Sequence, residues 1–173
     1  MVVMRPSTLV RVEEYLSTDY RPDCDYVEGE VQERNVGEYE HGKWQAELII
    51  FLAGLRRKLG FHIVPEQRLQ VKPRRFRVPD ICVILGPEPE EQVLTQPPFL
   101  CIEILSPEDR MVRIEERIDD YLEFGVSYVW LINPQSGKAW IHSAAGVREA
   151  KDGVLKTADP EISVPLSDLF RQK

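Results

Sequence analysis

Short apolar segments bounded by turn residues predict several β-strands along the chain. Residues 24–34 alternate between apolar and polar positions around Gly29, which predicts a hairpin or a bent strand. The tail, residues 161–170, predicts a last strand followed by a short helical cap. The other predicted strands cover residues 61–71, 78–85, 99–105, 127–134 and 138–146.

Apolar positions that recur every three to four residues predict three helices. The first is short, ends near residue 17 and has Ser7 as its N-cap residue. The second runs from about His41 to Leu59 and ends at Gly60. The third covers residues 106–125, with a proline near its start and a glycine at its end. This order of elements predicts one domain over residues 1–173, of the α/β (α+β) class, with a mixed sheet flanked by helices.

Two of the predicted strands each carry one acid inside an apolar segment. They are Asp80 in RVPDICVIL and Glu103 in FLCIEIL, and carboxylates are rarely buried without a partner. If the strands are antiparallel neighbours with Asp80 opposite Glu103, Cys82 falls opposite Cys101 and both acids lie on one face. Two carboxylates held close together repel unless one is protonated or a cation lies between them.

A shared site for Mg²⁺ answers this repulsion, because the ion prefers carboxylate oxygens and keeps water ligands for chemistry. The alternative is that each acid has its own structural partner, with Asp80 at a strand end and Glu103 beside an arginine. For one acid alone we favour the structural alternative. For the two together we favour the shared site.

The third predicted helix carries a row of arginines beside its apolar stripe. Arg110, Arg113 and Arg117 follow one flank at helical spacing, which is typical of a solvated face on which arginine side chains cover apolar surface. Arg117 lies one turn before Tyr121, from where it can reach over the sheet toward Glu103.

The long helix carries the polar residues His41, Gln45 and Glu47 near its start. A histidine on a core stripe is more often a core or capping residue than a catalyst. The middle of this helix is apolar on nearly all sides, which predicts that it is covered on more than one side, with a second subunit as one possibility.

Composition and charge limit the function classes only mildly. The net charge of −7 argues against a nucleic-acid partner, although local patches can outweigh a total. One basic stretch leads directly into Asp80 and is either a solvated loop or a set of phosphate contacts. Its cations are Lys72, Arg74, Arg75 and Arg77. Three cysteines at no metal-ligand spacing indicate reduced thiols in a cytoplasmic protein, and we expect no signal peptide and no membrane span.

Three segments in order, RVPDICVIL, PPFLCIEILSPEDR and RIDDYLEFGVSYVWLINP, resemble the Uma2 family. This family, also called DUF820, is described as candidate restriction endonucleases of the PD-(D/E)xK nuclease superfamily. YVEGEV and EHGKWQAEL extend the resemblance over most of the chain, the latter being similar to the family's His-led first helix. The resemblance implies a restriction-endonuclease-like fold and hydrolysis of DNA by metal-activated water. It also implies that Asp80, Glu103 and the backbone carbonyl of Ile104 bind Mg²⁺ or Mn²⁺.

The chain departs from the superfamily pattern at Leu105, where a lysine is expected. Many Uma2-like sequences carry this lysine on the following helix, four residues before a tyrosine, and that position here is Arg117. Arginine can stabilise phosphate charge but cannot act as a general base near neutral pH. Many superfamily members also offer a glutamate on the first helix, and both Gln45 and Glu47 stay open for that place.

We therefore predict a metal-dependent DNA endonuclease with Asp80, Glu103 and Arg117 at its centre, bordered by His41 and Gln45. A homodimer is predicted, since paired subunits suit double-strand cleavage. The alternative is a catalytically weakened or inactive nuclease-fold module that acts in nucleic-acid binding or in oligomeric interactions.

Overall fold

Three helices shape the fold in the computed structural model, which describes residues 8–169. They are α1 (Val12–Ser17), α2 (Tyr39–Leu59) and α3 (Met111–Phe124). Gly60 ends α2 in the left-handed conformation, with φ of 69°, which a residue without a Cβ adopts at no steric cost. The long helix predicted from the sequence is thus confirmed. The predicted N-cap residue Ser7 lies outside the described residues.

The third helix begins later than predicted. Residues 106–109 form a turn in which Asp109 Oδ2 accepts the backbone N–H of Ser106 at 2.8 Å, and the first helical residue is Met111. Gly125 ends α3, as predicted. This turn connects the strand that carries Glu103 to the helix that carries Arg117.

The strands form two main sheets and a small hairpin. In chain order they are β1 (Asp25–Val27), β2 (Glu30–Gln32), β3 (Phe61–Pro65), β4 (Leu69–Lys72), β5 (Arg75–Arg77), β6 (Ile81–Leu85), β7 (Leu100–Ile104), β8 (Tyr128–Asn133), β9 (Lys138–Ser143), β10 (Gly146–Glu149), β11 (Val154–Lys156) and β12 (Ser163–Pro165). A short 3₁₀ turn, Leu166–Asp168, follows β12.

The central sheet has six strands in the order β10-β9-β8-β7-β6-β3. Its neighbouring strands are antiparallel except β7 and β8, which are parallel and are connected through α3. The second sheet has the order β2-β1-β5-β4, and β11 pairs with β12. The architecture is therefore mixed α+β, as predicted.

The chain between residues 61 and 77 differs from the prediction. The strand expected over residues 61–71 is two strands, β3 and β4, that belong to different sheets. Pro65 ends β3 at the edge of the central sheet, where a residue without a backbone N–H is tolerated. The expected basic connector contains β5, whose central residue Phe76 is buried. Strands β10 and β11 were not predicted.

The two long helices cover opposite faces of the central sheet. From α2, the side chains of Trp44, Leu48 and Leu52 pack against one face, together with the apolar side chains of β7. From α3, Ile114, Ile118 and Tyr121 pack against the other face with Cys82 and Cys101. Because side chains alternate along a strand, Glu103 points to the same side as Cys101, toward α3.

The outer side of α2 is only partly covered within this chain. Ile50 is 65% exposed there, so a second subunit on this helix stays a prediction, which size-exclusion chromatography with light scattering tests. Among residues 8–169 the longest helix does not combine the length and the hydropathy needed to cross a bilayer.

Candidate nuclease site

The predicted register of the two acid-bearing strands is confirmed. β6 and β7 are antiparallel neighbours in which Cys82 lies opposite Cys101 and Ile81 lies opposite Ile102. Continuing this register by one step brings Asp80, directly before β6, level with Glu103. Asp80 Oδ2 accepts the backbone N–H of Ile104 at 2.8 Å, so the first acid is tied to the strand that carries the second.

Asp80 is buried, at 2% exposure, among donors from three parts of the chain. Arg34 Nη2 donates to its Oδ1 at 2.7 Å, and Gln45 Nε2 donates to its backbone carbonyl at 2.9 Å. Burial disfavours the ionised carboxyl, but His41, Arg34 and the Ile104 N–H together hold the pKa of Asp80 below its ordinary value. Asp80 is therefore a carboxylate at neutral pH.

His41 lies in the first turn of α2, with its Nε2 at 3.1 Å from Asp80 Oδ2. The ring N–H does not point at that oxygen closely enough to form a hydrogen bond, so the contact is an ion pair when the ring is protonated. Burial lowers the pKa of His41, but Asp80 outweighs burial and raises it above its ordinary value. The structure thus brings two predicted residues, His41 and Gln45, to Asp80.

Glu103 is 3% exposed and has two partners on α3. Tyr121 donates its hydroxyl to Oε1 at 2.5 Å, and Arg117 Nη1 donates to Oε2 at 3.3 Å. Burial raises the pKa of Glu103 to about 7, because the opposing effect of Arg117 is incomplete and the negative charge of Asp80 adds to the shift. The two carboxylates therefore interact, as the shared-site hypothesis requires.

Arg117 bridges Glu103 to a third buried acid that the sequence analysis did not identify. Arg117 Nε donates to Asp25 Oδ2 at 3.0 Å, and Arg77 Nη1 donates to the same oxygen at 3.1 Å. Asp25 Oδ1 accepts the backbone N–H of Val78 at 2.9 Å. Burial would raise the pKa of Asp25, but Arg117 and Arg77 hold it below its ordinary value.

Three residues of this site were missed, and the sequence carried a signal for one of them. Asp25 is an acid within the strand-like segment CDYV, which is the same signal that identified Asp80 and Glu103. Tyr121 was assigned to the apolar stripe of α3, and its hydroxyl bond to Glu103 depends on tertiary structure. Arg34 is the last residue of the predicted hairpin and has no local feature that marks it.

The basic stretch before Asp80 is placed differently from the prediction of phosphate contacts. Arg77 is fully buried and donates to Asp25 and Asp120, and Arg75 Nη1 donates to Asp120 at 2.9 Å. Lys72 Nζ lies 2.8 Å from a carboxylate oxygen of Glu123.

The partners of Arg75 and Arg77 are buried acids, so this placement argues against these two arginines as phosphate ligands. Lys72 forms a pair at the surface and stays a prediction. Arg74 is the exposed member, with Glu28 at 3.8 Å.

Leu105 is half-buried and packs against the apolar cluster under α3. Leu105, which stands where the superfamily pattern has a lysine, thus supplies no cation. The guanidinium that does reach Glu103 comes from Arg117, on the helix, as the resemblance suggested.

Asp80 and Glu103 suit a divalent cation of the Mg²⁺ type. Such an ion is commonly held by one or two carboxylates, water and substrate phosphate. A cation between these two acids would offset burial, which raises the pKa of Glu103 most, and the repulsion by Asp80 that adds to it. Within residues 8–169, no group of three or more His, Cys, Asp or Glu side chains is arranged to hold a metal ion. Each of the four carboxylate oxygens already accepts a bond from Arg34, Ile104, Tyr121 or Arg117, so a cation has to share these oxygens.

Comparisons with known proteins identify the family and the fold. The sequence profile of the Uma2 family, described as "Putative restriction endonuclease", matches residues 12–167. A solved structure described as a putative nuclease belonging to DUF820, from Anabaena variabilis, has a similar fold, with a TM-score of 0.78 at 22% identity. The match covers 91% of this chain and 96% of that one. No curated protein matches the chain. Since the family profile covers most of the chain, the protein belongs to the Uma2 family.

Proposed function

We propose that the protein is a Mg²⁺- or Mn²⁺-dependent endonuclease that hydrolyses phosphodiester bonds in DNA. The observation that carries the proposal is the meeting of two buried carboxylates, Asp80 and Glu103, in the confirmed register of β6 and β7, with a guanidinium bonded to one of them. Membership in a family of candidate restriction endonucleases supports the same activity.

Asp80 and Glu103 would hold the cation, with the backbone carbonyl of Ile104 as a further oxygen donor. The bound ion supplies an activated water and stabilises charge on the phosphate. Arg34 and the Ile104 N–H fix the orientation of Asp80, while Tyr121 fixes that of Glu103. Preorganised donors of this kind need no reorganisation during the reaction.

Arg117 would stabilise the negative charge that develops on the phosphate, because its guanidinium is permanently charged and presents several donors. It is not the general base, since arginine keeps its proton near neutral pH. Asp25 holds the Nε of Arg117 and so leaves the outer part of the guanidinium directed at Glu103. Asp25 is therefore a positioning residue in this proposal.

A second candidate function is a nuclease-fold module without catalysis. One observation favours it, namely that all four oxygens of Asp80 and Glu103 already accept bonds from the protein. In that case the two acids stabilise the fold through their buried partners, and the module acts by binding.

Plasmid cleavage distinguishes the two candidates. Supercoiled DNA is incubated with the purified protein and Mg²⁺ or Mn²⁺, beside Asp80→Asn, Glu103→Gln and Arg117→Lys. Under the proposed function, the first two variants lose at least about 100-fold in rate, and Arg117→Lys retains part of the activity because one charge stays near the phosphate. The exposed Glu115→Gln variant is the matched control and should cleave normally.

Metal binding by titration calorimetry completes the test. The wild-type protein should bind one equivalent of Mn²⁺, and Asp80→Asn should lose it. If the wild-type protein neither cleaves DNA nor binds Mn²⁺, the endonuclease proposal is excluded and the binding module is favoured.

A further inference from the structure

The candidate site is nearly closed to solvent, which restricts how a phosphodiester can reach it. Asp80 and Glu103 are only 2% and 3% exposed. Two cavities reach side chains that contact these acids. One cavity, of about 250 Å³, is lined by His41, and the other, of about 260 Å³, is lined by Arg117.

The charges that line the two cavities differ. The cavity at His41 has Glu38 and Glu40 in its wall and neither lysine nor arginine, so it repels a phosphate. The cavity at Arg117 is lined by two further arginines, Arg110 and Arg113. The second cavity thus offers a polyanion three guanidinium groups, beside three acids, whereas the first offers it neither lysine nor arginine.

The two outer arginines are available to a ligand. Arg110 and Arg113 are exposed, and neither forms an ion pair with an acid among residues 8–169. Arg117 behind them is held by Asp25 and Glu103. The cavity thus has two uncommitted guanidinium groups at its mouth and one anchored guanidinium at its inner end.

Acids also line this cavity, and one of them, Asp109, already accepts bonds from other groups. Asp109 accepts the backbone N–H of Ser106 at 2.8 Å and the side-chain amide of Asn35 at 2.9 Å. Glu108 lies beside Glu38, whose pKa is raised by partial desolvation and by the negative charge of this neighbour. Glu33 is the remaining acid of the lining.

We propose that this cavity binds the sugar–phosphate backbone of a nucleic-acid strand, with Arg110 and Arg113 on phosphates next to the one at Arg117. With a rise of about 1.5 Å per helical residue, the three arginines span about 10 Å along α3. A B-form strand presents one phosphate per about 3.4 Å of its axis, so the row spans about three phosphate intervals. This assignment replaces the predicted contacts of Arg75 and Arg77.

The inference rests on the proposed function and adds to it the surface that receives the strand. Fluorescence anisotropy with a labelled DNA duplex, without divalent metal, measures it over a range of salt concentrations. Loss of one phosphate contact reduces the magnitude of the negative slope of log K against log salt by about one. This corresponds to about an eightfold loss of affinity at 0.1 M salt. We expect this for Arg113→Ala and for Arg110→Ala, while Arg113→Lys keeps the slope.

The matched control is Arg57→Ala. Arg57 is exposed and unpaired among the described residues, like Arg113, but lies near the opposite end of α2 from His41, about 24 Å away at the rise of a helix. This variant should bind DNA as the wild type does. Circular dichroism and thermal midpoints verify that all variants are folded.

The outcomes separate this inference from the proposed function. The cavity is overturned as the strand-binding surface if Arg57→Ala and Arg113→Ala lose equal affinity for DNA. It is also overturned if neither Arg110→Ala nor Arg113→Ala loses affinity. If the wild-type protein still cleaves plasmid in that case, the proposed function stands. A wild-type protein that neither binds duplex nor cleaves plasmid overturns both.

Discussion

Replacing Glu103 by a neutral residue should favour the stability of the variant over that of the wild type more at alkaline pH than at acidic pH. The ordinary pKa of a glutamate is 4.5, and burial raises that of Glu103 to about 7. Between these values the folded state keeps a proton that the unfolded state has lost. The free energy of unfolding therefore decreases as the pH rises from 4.5 to 7, by about 1.4 kcal/mol per pKa unit, or about 3 kcal/mol in total.

Glu103→Gln removes this dependence because the amide does not ionise. Urea denaturation in EDTA at pH 5 and at pH 8 gives the difference in stability between variant and wild type. We expect that difference to be about 2.5 kcal/mol more favourable to the variant at pH 8 than at pH 5, because part of the change lies below pH 5. The exposed Glu115→Gln variant, as control, should show no such change. Identical differences at the two pH values would refute the reasoning.

Other titrating groups do not mimic this result. His41 has a raised pKa, so its stabilising contribution is present below its unfolded pKa and is lost as the pH rises through the folded one. That loss occurs in both proteins and differs little between them, because Glu103 is the smallest of the causes that shift the pKa of His41. Asp80 has a lowered pKa, so its contribution is lost only as the pH falls below its unfolded value, outside the range from 5 to 8.

A divalent cation should reduce the pH effect in the wild-type protein. If Mn²⁺ lies between the two carboxylates, it favours the ionised form of Glu103 and offsets the cost of burial. The thermal midpoint of the wild type should then rise more on addition of Mn²⁺ at pH 8 than at pH 5. Glu103→Gln should lose this increment, and an equal increment in both proteins contradicts a shared metal site.

Two further predictions concern stability. Asp25→Asn should cost about 3–5 kcal/mol, because it breaks two buried ion pairs, one with Arg77 and one with Arg117. Arg74→Ala, on an exposed pair, should change the free energy of unfolding by less than about 0.5 kcal/mol. Chemical denaturation measures both variants, and equal losses of stability in Asp25→Asn and Arg74→Ala would contradict this contrast. Gly125→Ala should destabilise the protein by about 1–3 kcal/mol, since φ is 110° and the new Cβ would lie 3.2 Å from Pro97 Cγ. Gly54→Ala, in a helix with nothing within 4 Å of the new Cβ, should instead stabilise by about 0.5–1 kcal/mol, and a loss of stability in both variants would refute the conformational argument.

Local patterns in the sequence determined the end of the long helix and the pairing of the two acid-bearing strands. The end of α2 at Gly60 and the antiparallel pairing of Cys82 with Cys101 were both predictable. They depend on side-chain period and on backbone preferences of single residues, which are properties of neighbouring positions. The same alternation predicted that Asp80 and Glu103 would meet.

Tertiary structure decided which charges meet. Arg117 and Asp25 are separated by 92 positions, and Arg77 and Asp25 by 52, so nothing local joins them. A basic stretch looks alike in sequence whether it faces solvent or an internal acid, and this is why Arg75 and Arg77 were assigned to phosphate. Coulomb energy depends on distance in space and on burial, and both are fixed only when the sheets and α3 come together.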